Sequence, residues 1–130
     1  MSDKIIYTSL EKALLTVKAI LTEPYSDVTR DAAIQRFEYS YELSWKTLKR
    51  YLFIKQGFEE NNIKNIYRQA AMSKLLENLE RWFDYHVKRN LSSHTYNEDT
   101  AQEVYDSIRD FYEDALTLLN NMKEQDSDYQ

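Results

Sequence analysis

Apolar residues recur at intervals of three and four along most of this chain, the period of a helix with one buried face. Ile6, Leu10, Leu14, Val17 and Leu21 form one such stripe and predict a first helix over about 3–22. Pro24 ends it, because the residue before a proline is pushed out of helical geometry. A second helix begins near Asp27 or Thr29, both suitable N-caps, and carries the stripe Ile34, Phe37, Tyr41, Trp45, Leu48 and Leu52. Gly57 follows the last periodic residue and marks its end. A short third segment over about 62–72 carries Ile63, Ile66 and Ala70. A fourth, over about 75–89, carries Leu75 or Leu76, Leu79, Trp82 or Phe83, and Val87. Asn97 is a candidate N-cap for a fifth, over about 98–123, with Glu98 and Asp99 favourably placed in the first turn. Ala101, Val104 or Tyr105, Ile108, Phe111 or Tyr112, Ala115, Leu118 and Met122 form its stripe. No alternation of period two persists. The expectation is an all-α, antiparallel, up-and-down four-helix bundle with one additional short helix, a single domain over 1–130. The polar tail, about 124–130, is expected to fray.

Composition sharpens this picture. One Gly and one Pro in 130 residues leave little room for turns and favour long helices. No cysteine is present, which excludes disulfides, thiolate metal ligands and a thiol nucleophile, and fits a reducing cytoplasm. No apolar run has the length of a membrane span or signal peptide, so a cytoplasmic protein without a membrane partner is expected. The net charge of −5 argues against DNA or bulk nucleic-acid binding through overall charge. Any RNA or nucleotide contact must be local, at a basic patch on an acidic body. Eleven Tyr and two Trp exceed what one small core needs. A homodimer is therefore expected, with aromatic side chains of the second or fourth helix at its interface.

Candidate chemistry concentrates in the helix break RNLSSHTY, residues 89–96. His94 is one of only two histidines and can exchange a proton near neutral pH. Arg89 offers a permanent charge and a fork of donors suited to phosphate. Together they can support metal-free phosphodiester transfer. His94 would take the proton of a ribose 2′-hydroxyl, and Arg89 would stabilise charge building on the phosphate. Asn90, Ser92 and Ser93 could orient phosphate oxygens. The same residues also admit a structural reading, with Arg89 paired to an acid near a helix end and His94 and Ser93 capping backbone groups. No metal site is expected, because His86 and His94 lack the spacing of a helical ligand pair. No cofactor motif is present. Lys46, Lys49 and Arg50 cluster on the polar side of the second helix, either as a solvated face or as contacts for phosphate or an acidic partner. Glu42 and Lys46 have the order of an exposed ion pair.

Two blocks carry a family resemblance: RFEYSYELSWKTLKRYL (36–52) and RNLSSHTYNEDTAQEVYDSI (89–108). They resemble the signature blocks of the nucleotidyltransferase substrate-binding proteins, small helical partners of minimal nucleotidyltransferases within the HEPN (higher eukaryotes and prokaryotes nucleotide-binding) superfamily. The specific element is an arginine, four residues, a histidine, one residue and a tyrosine. Two connecting segments differ from the usual pattern: AAMSKLLENLERWF has no glycine, and FEENNIKNIY has no proline.

The resemblance implies a helical bundle that pairs as a homodimer and works with a separately encoded nucleotidyltransferase. In toxin-like members the arginine and histidine form a metal-independent ribonuclease site between protomers, which the partner silences by adding adenylate to the motif tyrosine. Carried onto this sequence, that makes Arg89 and His94 catalytic, Tyr96 the modified residue, and Asn90 the polar residue after the arginine. The alternative is a non-catalytic subunit that presents a nucleotide or other acceptor to the transferase. A structural helical dimer with a vestigial motif is the third possibility.

Overall fold

Helix α1 (Thr8–Leu21) buries Leu10, Ala13, Leu14 and Val17 along one face, the stripe its spacing predicts. In the computed structural model, which describes residues 4–129, the chain continues through α2 (Asp27–Gln56), α3 (Ile63–Met72), α4 (Leu79–Leu91), a single 3-10 turn (Ser92–His94) and α5 (Glu98–Gln125). No strand occurs among the described residues. Helices α1, α2, α4 and α5 form the antiparallel bundle, and α3 packs across α2 and α4.

The core is aromatic. Phe111 on α5 sits at its centre, with Phe37 of α2 and Tyr85 of α4 meeting it edge-on at ring separations of 5.0 and 5.4 Å. Trp82 is fully buried beside Phe111, Tyr67 and Tyr85. Edge-to-face rings add directional packing to the area they bury, so this cluster fixes how α2, α4 and α5 register. Several polar groups within it are paired, whereas the buried Trp82 Nε1 and Ser40 Oγ meet no hydrogen-bond partner among the described residues. Tyr41 Oη hydrogen-bonds Tyr67 Oη and lies 3.1 Å from His86 Nδ1, which commits the first histidine to the core wall. Asp114 on α5 accepts from Arg81 Nε and Nη2 at 2.9 and 2.8 Å, from Asn78 Nδ2 at 3.1 Å and from Tyr85 Oη. Burial alone would raise its pKa. The hydrogen bonds from Arg81, Tyr85 and Asn78 outweigh burial and hold the carboxyl below its ordinary range.

Several expectations change in detail. Ile6 lies before the first turn of α1 and is 73% exposed, because helical periodicity does not reach it. The start expected near residue 3 falls partly outside the described residues. Ser26, not Asp27 or Thr29, caps α2. Its Oγ accepts from Thr29 N at 3.1 Å while Thr29 Oγ1 accepts from Ser26 N at 2.8 Å, a reciprocal capping box. Trp45 is only half-buried at the bundle's edge. Leu75 and Leu76 are buried but precede α4, because Lys74 (φ 61°) and Asn78 (φ 59°) take left-handed conformations that break the helix around them. Val87 is 50% exposed, and Tyr85 takes the buried place on α4.

The tail also departs from the frayed end expected over 124–130. Asp126 is buried, accepts from Tyr7 Oη at 2.7 Å and pairs with Lys55 Nζ at 2.7 Å. Tyr129 stacks edge-on against Tyr7 with ring centres 5.5 Å apart. Polar residues that read as solvated in sequence are here ligands for groups on α2 and ahead of α1. Gln130 lies outside the described residues.

Candidate functional site at the α4–α5 break

Helix α4 ends at Leu91 and passes into the turn Ser92–His94, and Asn97 then starts α5 by accepting from Thr100 N at 3.1 Å. Both sides of this connection are anchored on α2. On the far side, Arg30 is buried and donates to both Glu98 oxygens, at 2.8 and 3.2 Å. That contact holds the Glu98 carboxyl below its ordinary pKa. On the near side, Arg89 Nη1 lies 3.3 Å from Glu38 Oε2. Its Nε lies 3.3 Å from Glu42 Oε1, an ion-pair contact off the hydrogen-bond direction. A guanidinium between two carboxylates has a fixed position, because moving it would uncover both.

Ser92 is buried within the same cluster. Its Oγ lies 2.6 Å from Glu38 Oε2 and 2.6 Å from the Arg89 carbonyl oxygen, so its one proton serves one of the two, and it accepts from Arg89 Nη1 at 3.2 Å. Ser93 is exposed and donates to the Asn90 carbonyl at 3.0 Å, and Asn90 is exposed beside it. His94 is exposed, with Nδ1 3.1 Å from Tyr96 Oη and the two rings edge-on. Tyr96 is 84% exposed, which makes its hydroxyl open to an approaching reagent or macromolecule.

The six residues singled out in sequence therefore divide into two groups. Arg89 and Ser92 belong to a half-buried acidic cradle on α2. Asn90, Ser93, His94 and Tyr96 form the exposed rim of the break. Both readings of RNLSSHTY have a physical counterpart here. Arg89 pairs with acids and Ser93 caps a carbonyl, while His94 turns its ring to the Tyr96 hydroxyl and leaves the backbone uncapped by its side chain. Sequence spacing does not single out Glu38 and Glu42 as site residues. It makes Glu42 an exposed partner for Lys46, which it meets at only 3.9 Å, yet Glu42 also accepts from Trp45 Nε1 at 3.1 Å. The signal for them lies in the resemblance, since Glu38 and Glu42 fall within the first of the two blocks and Arg89 opens the second. Among the described residues, no three His, Asp or Glu side chains converge as a metal site. No helix among them is long and apolar enough to cross a membrane.

Comparison with known proteins gives this geometry a context. A crystal structure from Thermus thermophilus superposes with a TM-score of 0.82 at 37% identity, covering 88% of this chain and 98% of the other. A Haemophilus influenzae structure, described as revealing the fold of a substrate binding domain of a nucleotidyltransferase, gives 0.81 at 28% identity over 90% and 98% of the two chains. A probable ribonuclease HepT of Haemophilus influenzae (strain ATCC 51907 / DSM 11121 / KW20 / Rd) is 36% identical over 97 residues. That match takes in 71% of this chain and spans 66% of the relative's length. Residues 6–124, which include the α4–α5 break and its cradle on α2, match the family described as nucleotidyltransferase substrate binding protein like, and the chain belongs to that family.

Proposed function

We propose that this chain is the helical partner subunit of a minimal nucleotidyltransferase, and that Arg89 and His94 form a metal-independent endoribonuclease site completed by pairing of two copies in the cytoplasm. The observation that carries the reading is the pairing of an exposed imidazole with an exposed phenol, His94 Nδ1 to Tyr96 Oη at 3.1 Å, in the same helix break as an arginine whose position is fixed from α2. In the reaction, His94 accepts the proton of a ribose 2′-hydroxyl. The 2′ oxygen attacks the adjacent phosphorus, and the bond to the 5′ oxygen breaks. A 2′,3′-cyclic phosphate and a 5′-hydroxyl result, the latter taking its proton from solvent. Arg89 offsets charge on the phosphoryl oxygens, and Asn90 and Ser93 on the exposed rim supply hydrogen bonds around them, while the buried Ser92, expected from sequence to share that task, is committed to the Arg89 cradle.

The same pair explains how a nucleotidyltransferase would control the site. Tyr96 Oη attacks the α-phosphorus of a nucleoside triphosphate held by the transferase, pyrophosphate leaves, and His94 is placed to receive the phenolic proton. The product carries a nucleotide on the atom that faced His94, so the imidazole is covered. The decisive experiment assays RNA cleavage by purified wild type, His94→Ala and Arg89→Ala with chelator present. Each substitution is expected to lower the rate by about two to four powers of ten with circular dichroism unchanged. Cleavage that survives both, or that chelator abolishes, rules the mechanism out.

A second reading keeps the chain as a non-catalytic subunit that presents an acceptor to the transferase. The cradle of Glu38 and Glu42 favours it, since those carboxylates already neutralise Arg89. Under that reading the wild type leaves RNA intact while Tyr96 or a bound nucleotide is modified when the transferase is supplied.

A further inference from the structure

One face of α2 continues beyond the Arg89 cradle. Glu38, Glu42, Trp45, Lys49 and Phe53 follow one another at spacings of four, three, four and four, so they share one side of the helix. Next to the cradle this face opens into a groove of about 450 Å³, between the C-terminal half of α2 and the connection to α3. That is the size of a small-ligand site. Its chemistry is unlike the rest of an acidic protein. Trp45, Phe53 and Phe58 line it together with Lys46, Lys49 and Arg50.

The cations there keep their charge available. Arg50 is exposed and meets no acid among the described residues. Lys49 donates to the neutral Asn61 Oδ1 at 2.7 Å. Lys46 lies 5.9 Å from the Trp45 ring centre and only distantly from Glu42, at 3.9 Å. Phe53 is 52% exposed, an apolar ring left in water between lysines and an arginine. Of the acids on the opposite wall, Glu60 is engaged at the start of α3, accepting from Asn61 N and Asn62 N at 3.1 and 3.0 Å and from Asn65 Nδ2 at 3.3 Å. Glu59 remains on the rim, where it suits the exocyclic amine of a base and opposes a phosphate.

Aromatic faces interleaved with cations along one track are what single-stranded nucleic acid requires: bases stack, phosphates pair, and no base sequence is imposed. Glu42 ties this track to the candidate site, because one carboxylate meets Arg89 Nε and accepts from Trp45 Nε1. From Glu42 to Lys49 the helix rises by about 10 Å, which about three stacked nucleotides span at about 3.4 Å each. We propose that the Trp45–Phe53 groove holds the nucleotides flanking the scissile phosphate, with bases against Trp45 and Phe53 and backbone phosphates against Lys46, Lys49 and Arg50. The inference rests on the ribonuclease reading for its choice of RNA, and the groove is physically separate from Arg89 and His94.

The test is a binding measurement on the full chain. The probe is 2′-O-methyl hexaadenylate, which has no 2′-hydroxyl proton to lose and so reports binding without cleavage. Adenosine monophosphate is the second probe. Trp82 is fully buried and Trp45 faces the groove, so quenching of tryptophan emission reports Trp45. The oligonucleotide is expected to quench it. Phe53→Ala and Arg50→Ala, both at exposed positions, are expected to weaken binding by about five- to a hundredfold with circular dichroism unchanged. Losing Arg50 should also flatten the dependence of affinity on salt. Equal affinity of the two variants and the wild type overturns the inference, as does equal affinity for the monophosphate and the oligonucleotide. Trp45 emission already shielded by a second copy, with no quenching, overturns it too. Binding at the groove without cleavage by wild type removes the ribonuclease reading and overturns the placement beside a scissile phosphate, reducing the groove to a single-strand binding site. Cleavage with variants that bind normally keeps the ribonuclease reading and overturns the groove.

Discussion

Gly57 and Lys74 adopt nearly the same left-handed backbone, φ 64° and 61°, with opposite consequences. Gly57 closes α2 without a side chain to strain, and a Cβ added there would meet nothing within 4 Å. Gly57→Ala should therefore cost about 1 kcal/mol from backbone strain alone, with no packing defect. Lys74 carries that strain already, in the segment where the family pattern leads one to expect a glycine. Lys74→Gly should raise stability by about 0.5–1 kcal/mol, less than the full strain because glycine also gains freedom in the unfolded chain. Urea midpoints at unchanged slope measure both. The same residue shows a limit of sequence reading. Leu75 and Leu76 fit the apolar spacing of α4, yet a single inverted backbone at Lys74 and another at Asn78 keep them out of it, and spacing carries no information on φ. Arg89 was legible as a charged residue at a break, whereas its two carboxylates, 47 and 51 positions earlier, have no local signal.

Among the helices, α2 and α5 were the most legible because their stripes run through many turns and their ends carry Gly57 and Asn97. What the period does not encode is the use made of the other faces. The polar side of α2 reads as a solvated surface, but it holds the Arg89 cradle and the Trp45 groove. The turn after α5 reads as loose, but it is a docking element: Asp126 accepts from Tyr7 and Lys55, and Lys55 also pairs with Asp128 at 2.7 Å. Asp126→Ala leaves Tyr7 Oη without its acceptor while Lys55 keeps Asp128. The expected loss is about 1–3 kcal/mol, measured by thermal or urea unfolding. Deleting residues after 125 should cost no less.

For the whole molecule, the buried carboxylates set the response to acid. Burial would raise the pKa of Asp126 as it would that of Asp114, but bonds from Lys55, Tyr7 and the Asp128 backbone lower it instead. Both groups thus titrate lower in the folded state than in the unfolded chain, near 3.9. Their stabilisation is complete above that unfolded value and is lost as pH falls through the lower folded values. Thermal midpoints should hold steady from neutral pH to about pH 5 and fall steeply below about pH 4, and Asp114→Asn should flatten that fall. Light scattering at tens of micromolar should report a two-fold dimer (roughly, for a stable interface), since a monomer would leave the ribonuclease reading without its second half.

The bond between Tyr7 and Asp126 joins residues 119 positions apart. Closing so long a segment of free chain is entropically expensive, and most of that expense vanishes once α1 and α5 are already side by side. The contact therefore belongs to the late, downhill stage of folding rather than to its nucleus. Weakening it should speed unfolding by the full stability change and leave the refolding rate nearly untouched. In stopped-flow traces of Asp126→Ala, only the unfolding arm of the chevron should move. The clasp that looks like a finishing detail would then act as the latch that sets how long the folded molecule lasts.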